Sequence, residues 1–377
     1  MELSMAEARI DLRQLTRNIE IVRKKIGPKI KLLFPVKADA YGHGAVAIAR
    51  KAQEAGVDWL GVANIAEAVE LRRAGIPLPI LILCASRKEH IEDLVRAEVS
   101  VSVSNLEFAK ALERESKRQK VKTRVQVKVD TGMGRNGILA ESALRFFEGL
   151  SKLRHLNVEG VFSHFSVSYS EKPADQAYTR NQIRKFNRLL TQLDQADLLP
   201  PLRHIANSSG LIQYFDEVTS GYFNMVRPGI LLYGYREVER PWVKNIKPIL
   251  SMRTWITCLK ELPPGRYIGY GRSYRTDSFK KIATIPIGYA DGLSFLLANC
   301  GEVIIKNKRA KIVGGISMDQ TTVDVTQIKN VKVGDKVEII SERLPADALA
   351  RKLNAPFAEV ILTAISKRVK RVYLLDD

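Results

Sequence analysis

The chain of 377 residues is long for one domain and comfortable for two. With 45% hydrophobic and 27% charged residues it suits a globular protein, and no run approaches the ~18–20 apolar residues of a membrane span. A net charge of +19 raises nucleic acid as a partner, but the bases are spread along the chain and no zinc-finger, RNP or basic-zipper pattern occurs. Solvated faces account for clusters such as "ERESKRQKVKTR", and a field that attracts small anions is the next reading.

"MELSMAEARIDLRQLTRN" has no apolar core of signal-peptide type, which points to the cytoplasm. The scattered Cys84, Cys258 and Cys300 argue against a disulfide framework or a cysteine zinc site, and no metal is expected. Short apolar runs then follow at 31–37, 59–64, 78–83, 99–103, 123–130, 158–165, 203–206 and 223–230. Between them lie stretches with apolar residues at helical spacing, from "AVAIARKAQEAG" to "DQAYTRNQIRKFNRLLTQLDQA". Eight such alternations are the sequence form of an α/β (β/α)8 barrel of TIM type, with a doubly wound sheet as the competitor. After "LLYGYREVER" the texture becomes many short β-type runs separated by Gly, Pro, Asn and Asp. The expected organisation is a barrel over 1–238 and a mostly β domain over 239–377, with the first eight or so residues packing with the second domain.

Barrels place chemistry at the C-terminal ends of their strands, and polar residues stand out there. Lys37 ends the first strand, "KVDTGMGRNG" follows the fifth, His164 ends the sixth, "HIANSSG" follows the seventh and "VRPGILLYG" closes the eighth. The last two loops offer the Ser208 and Ser209 hydroxyls and the backbone N–H groups of Gly229 and Ile230, at the usual phosphate position of a barrel. A lysine opposite a phosphate site suggests pyridoxal phosphate. A Schiff-base aldolase also fits a barrel lysine but leaves the second domain unexplained, and no GxxxxGK[ST] or strand-one GxGxxG supports a nucleotide.

The motifs "VKADAYGHG", "KVDTGMGRNG", "EGVFSHF", "ANSSG", "VRPGILLYG", "GYGRSY", "IPIGYADG" and "GGISMDQTTVDV" occur in one order over nearly the whole chain. Together they resemble the alanine racemase family of pyridoxal-phosphate enzymes. The resemblance implies a barrel joined to a β domain and a head-to-tail homodimer whose active sites are completed by the partner's second domain. It also implies interconversion of L- and D-alanine, supplying D-alanine for the cell wall. By the same resemblance Lys37 binds the cofactor and Tyr270 is the second base, from the other subunit. Tyr41, Asn207, Ser208, Gly229 and Ile230 hold the cofactor, with Arg227 facing the pyridine nitrogen and His164 linking that arginine to the tyrosine. Arg135, Met318 and Tyr289 meet the substrate, and Lys128 matches a lysine that is often carbamylated and holds Arg135.

Two bases on opposite faces of a planar carbon explain why both a lysine and a tyrosine are required. Three departures lie at the mouth of the site and a fourth in the lysine motif. Lys367 stands for the family's tyrosine, Phe295 and Gly315 for frequent arginines, and Asp39 for a frequent asparagine. These leave a racemase for serine or another amino acid as the alternative, with a non-catalytic pyridoxal-phosphate protein behind it.

Overall fold

The computed structural model describes residues 5–375. The chain divides into two compact units, with the main break between Ile246 and Lys247. The first element, β1 (Ala6–Asp11), belongs to the unit that carries residues 247 onward, as do residues 41–44.

The other unit is the barrel. Its strands are β2 (Lys31–Pro35), β3 (Trp59–Val62), β4 (Ile80–Ile82), β5 (Ser100–Val103), β6 (Thr123–Asp130), β8 (Leu156–Phe162), β9 (Leu202–His204) and β10 (Met225–Val226), with the short β7 (Ile138–Leu139) beside β6. All pair in parallel, in the order β10-β2-β3-β4-β5-β6-β8-β9. The remaining seam is drawn together by Asn224 N–H donating to Arg203 O at 3.2 Å and Arg227 N–H to Ala206 O at 3.0 Å. The expected eight-stranded parallel barrel is therefore present, and its weak seventh and eighth strands are three and two residues long.

The helices form where apolar spacing and caps agree. Helix Ile65–Arg73 starts at Asn64, whose side chain accepts from Glu67 N–H, and buries Ile65, Ala68 and Leu71. Helix Leu106–Arg118 repeats the device with Asn105 and Phe108 N–H. Leu33, Trp59, Leu81, Phe162 and Met225 form one buried cluster contributed by five strands.

The second unit is β-rich, as its sequence texture implies. Its strands are β11 (Leu250–Trp255), β12 (Cys258–Leu262), β13 (Tyr267–Ile268), β14 (Tyr274–Arg275), β15 (Lys280–Ile285), β16 (Glu302–Ile305), β17 (Lys308–Ile312), β18 (Thr321–Asp324), β19 (Lys336–Ile340) and β20 (Lys370–Leu374). Nine strands make one sheet in the order β12-β15-β18-β17-β16-β19-β11-β1-β20, while β13 and β14 pair separately. β1 runs antiparallel to β11 and parallel to β20, so it lies inside this sheet. Glu7 on β1 is buried and bound to Arg253 of β11 at 2.8 Å.

Candidate active site

Lys37 lies two residues past the end of β2, rather than on the strand, and opens the helical segment Lys37–Gly42. That segment winds left-handed: φ is +52° at Ala38, +53° at Asp39, +51° at Ala40 and +54° at Tyr41. Each such non-glycine residue costs roughly 1–2 kcal/mol, so local contacts must hold the turn. Glu67 accepts from Ala38 N–H at 2.9 Å, and Asp39 accepts from Ala45 N–H at 2.8 Å. The half-buried Lys37 amine has no hydrogen-bond or ion-pair partner among the described residues.

Lys128 lies within β6, two residues before its end, and is buried. Its Nζ donates to Leu83 O at 3.2 Å and stands 5.3 Å from the centre of the Phe162 ring. Burial, then the charges of Arg227 and Arg135, with a smaller push from Lys37, bring Lys128 down to about 8. No hydrogen bond joins it to Arg135, because an ammonium and a guanidinium repel. Asp130, at the end of β6, is occupied by the N–H groups of Gly132, Met133 and Gly134, which shapes the loop that exposes Arg135.

Arg227, the residue after β10, is buried with its guanidinium 5.3 Å from the centre of the same Phe162 ring. One terminal nitrogen donates to Ser163 O at 2.7 Å, Ile205 O at 3.2 Å and His164 Nδ1 at 3.3 Å. The other donates to His204 Nδ1 at 2.5 Å. Its Nε–H finds no acceptor among the described residues. Burial brings Arg227 down to about 9, which leaves it charged at neutral pH. Burial and then the Arg227 charge hold both His164 and His204 well below the usual imidazole range, so both are neutral. The positive charge beside His164 is therefore the arginine's. Lys128, Arg135 and Lys37 also act on His164, which groups these residues electrostatically.

Asn207 caps the short helix Ser208–Gln213, accepting from Gly210 N–H at 2.9 Å, and Ser208 Oγ accepts from Leu231 N–H at 3.2 Å. That contact joins the Ser208 turn to the Gly229–Ile230 loop. Gly229 and Ile230 are buried, yet their N–H groups meet no acceptor among the described residues. Orphaned buried donors are rare and costly. Together with the Ser208 turn they fit a phosphate, and the spare Nε–H of a charged arginine fits a ring-nitrogen acceptor. The residues present thus suit pyridoxal phosphate.

Tyr270, Tyr289 and Met318 lie in the β-rich unit and are 77%, 46% and 52% exposed. Tyr289 N–H donates to Ser317 O and Ala290 N–H to Met318 O, both at 3.1 Å, so these two candidates share one corner. Gly288 makes the approach possible, since a Cβ there would overlap the Ser317 and Met318 carbonyl oxygens. Tyr270 is held between Gly269 and Gly271, both at positive φ, and Gly315 packs beside its backbone.

The N-terminal-domain model of alanine racemase matches residues 10–237, and the C-terminal-domain model matches 249–373. The chain belongs to the alanine racemase family. An alanine racemase 2 of Caldanaerobacter subterraneus is 39% identical over 99% of this chain and 96% of its own length. The alanine racemase of Halothermothrix orenii is 38% identical over 97% and 96%. Among solved structures, that of Clostridium difficile superposes with a TM-score of 0.91 at 33% identity, covering 99% of this chain and 97% of that one. An alanine racemase of Bartonella henselae, solved with covalently bound pyridoxal phosphate, gives 0.87 at 28% identity, covering 98% and 100%.

Within this family frame, the residues that sequence reasoning missed are His204, Gln126 and Glu159. His204 takes the terminal nitrogen of Arg227 that His164 does not. A polar pair Glu159–Gly160 in the middle of a strand is a signal for a bulge that could have flagged the region.

Proposed function

We propose that this protein interconverts L- and D-alanine with pyridoxal phosphate, by two bases acting on opposite faces of Cα. The observation that carries the reading is the buried, charged Arg227, pinned through both terminal nitrogens with its Nε–H left over, in the same barrel as an unpartnered Lys37 and the two orphaned N–H groups. The cofactor, when bound, supplies an electron sink that makes the Cα proton of an amino acid removable.

Lys37 would hold the cofactor covalently. Tyr41, Asn207, Ser208, Gly229 and Ile230 would hold its phosphate end, and Arg227 would donate to its ring nitrogen. A guanidinium is a donor only, so it leaves that nitrogen unprotonated. That moderates electron withdrawal and favours return of the proton to Cα over its loss to the cofactor. Lys37 takes or returns the proton on the face used by D-alanine, and Tyr270 on the face used by L-alanine. Arg135 and Met318 would orient the substrate carboxylate, with Tyr289 beside the substrate. The exposure of Tyr270, Tyr289 and Met318 supports a homodimer in which Tyr270 of one copy serves Lys37 of the other. The enzyme would work in the cytoplasm on a small amino acid and supply D-alanine for the cell wall. No helix among the described residues is long and apolar enough to cross a membrane.

Gly315 favours a second, broader substrate reading. Its φ is not positive, and the nearest atoms to a Cβ there would be the Tyr270 backbone and Cβ at 3.4–3.9 Å, ordinary contact distances. The position therefore leaves room beside Tyr270. The deciding test is the cofactor absorbance spectrum, followed by racemisation assays over a panel of amino acids. Lys37→Ala should fold, lose the lysine-bound cofactor band and lose nearly all activity, and normal racemisation by that variant would overturn the assignment.

A further inference from the structure

Behind Arg227 runs a line of buried polar side chains that the racemisation scheme does not use. The Ser100 hydroxyl of β5 donates to Glu159 Oε1 of β8. Gln126 Nε2 of β6 donates to the same oxygen at 3.1 Å. Gln126 Oε1 lies 2.8 Å from His204 Nε2 of β9, and His204 Nδ1 receives Arg227 at 2.5 Å. Ser100, Gln126 and His204 are fully buried and Glu159 is nearly so. Apolar residues would fill such a space at lower cost, because a buried polar network is stable only when every member is satisfied.

Two local features of β8 build the line. Val125 pairs with Val158 and Gln126 with Gly160, so Glu159 is an extra residue opposite β6, a β-bulge. Bulges re-aim a side chain and concentrate next to active sites. Gly160 then clears the path, for a Cβ there would lie 2.8 Å from both Cδ and Oε1 of Gln126.

The line has one polarity, and both ends demand it. Arg227 can only donate, so His204 Nδ1 must be bare and its proton must sit on Nε2. That N–H needs an acceptor, which is Gln126 Oε1, and the Gln126 NH2 group is left to donate to Glu159. From the far end, a carboxylate that only accepts requires the same orientation of Gln126.

We infer that Glu159 and Gln126 are positioning residues of the racemase, which lock His204 in the Nε2–H tautomer and so hold Arg227 in one orientation with its Nε–H free for the cofactor ring. This rests on the proposed role of Arg227. Loss of the lock lets the guanidinium move off the ring nitrogen. The amino group of alanine is then left on the cofactor more often, with pyruvate released.

The test is ¹⁵N NMR of histidine-labelled holoenzyme, with pyruvate formed per alanine racemised as the second readout. Wild-type His204, assigned by His204→Asn, should show a single Nε2–H tautomer. Gln126→Leu, and Gly160→Ala as a variant that displaces Gln126 without removing a polar group, should lose that signature. Both should raise the pyruvate partition about tenfold, the effect of one misplaced hydrogen bond to a charged group. Glu159→Gln keeps an accepting oxygen and should restore the wild-type pattern relative to Glu159→Leu. An Nδ1–H tautomer in the wild type would overturn the inference. So would a folded Gln126→Leu or Gly160→Ala protein with unchanged tautomer and partition. The tautomer is read without turnover, so a failure of the racemase reading alone would leave the wild-type spectrum as predicted.

Discussion

Carbamylation of Lys128 can be tested directly against its surroundings. Lys128 is buried within the field of Arg227, Arg135 and Lys37, and Asp130, two residues on, is spent on three backbone N–H groups. Its shift from 10.5 to about 8 raises the ratio of amine to ammonium roughly 300-fold at any pH below 8. Only the neutral amine attacks CO2. Nitrogen bonds to carbon, a proton leaves, and a carbamate replaces the cation. The change converts repulsion of Arg135 into attraction. Because the folded value is depressed, the amine is plentiful above about pH 8 and falls tenfold per unit below it. The carbamate should therefore form near pH 8.5 and fade toward pH 6. With ¹³C-bicarbonate, the wild type should give a carbamate resonance that Lys128→Met lacks. In CO2-free buffer the buried ammonium costs on the order of 3 kcal/mol below pH 8, a penalty that shrinks between pH 8 and 10.5. Lys128→Met should then be the more stable protein at pH 6.5. A wild-type spectrum identical to that of Lys128→Met at pH 8.5 in excess bicarbonate would refute the argument.

Mixing Lys37→Ala with Tyr270→Ala subunits should restore part of the activity if the two bases come from different copies; proven subunit exchange without recovery would place both in one chain. Gly288→Ala should cost about 1–3 kcal/mol by overpacking against backbone that cannot yield, seen as a lower Tm, and should lower kcat/KM by displacing Tyr289 and Met318. Alanine should be the best substrate with measurable activity on serine, since one added hydroxyl is discriminated by only about 1–3 kcal/mol in such a pocket. Lys367→Tyr should narrow that range, and strict alanine specificity unchanged by the substitution would show that the mouth does not set it.

The alternation of apolar runs and helical spacing made the barrel legible, because each β/α unit is local in sequence. The strand ends were less so. Lys37 reads as the last residue of the first strand, yet β2 stops at Pro35 and Lys37 opens the turn that follows. The left-handed turn at Ala38–Tyr41 was invisible, because "ADAY" has no glycine and its propensities favour a right-handed helix. Gln126 and Glu159 were passed over for a different reason. One polar residue in a strand looks solvent-facing, and only the pairing of β6 with β8 brings the two together. Tyr270, Tyr289 and Met318 are proposed from motif likeness alone, since short runs between glycines carry no periodicity.

β1 has a bearing on how the chain matures. It is made first and paired last: both its neighbours, β11 and β20, lie more than 230 residues downstream. At ~5–20 residues per second the ribosome leaves this strand without a sheet for tens of seconds, while the barrel strands already have local partners. Its alternating charges, Glu7, Arg9 and Asp11, are suited to that interval, because charged strands resist pairing with strangers. The same arrangement sets how the protein can be cut. A fragment of residues 247–377 would present β11 and β20 as two raw edges around a missing strand. It should clump when made alone and become soluble when a peptide of residues 5–15 is supplied in trans.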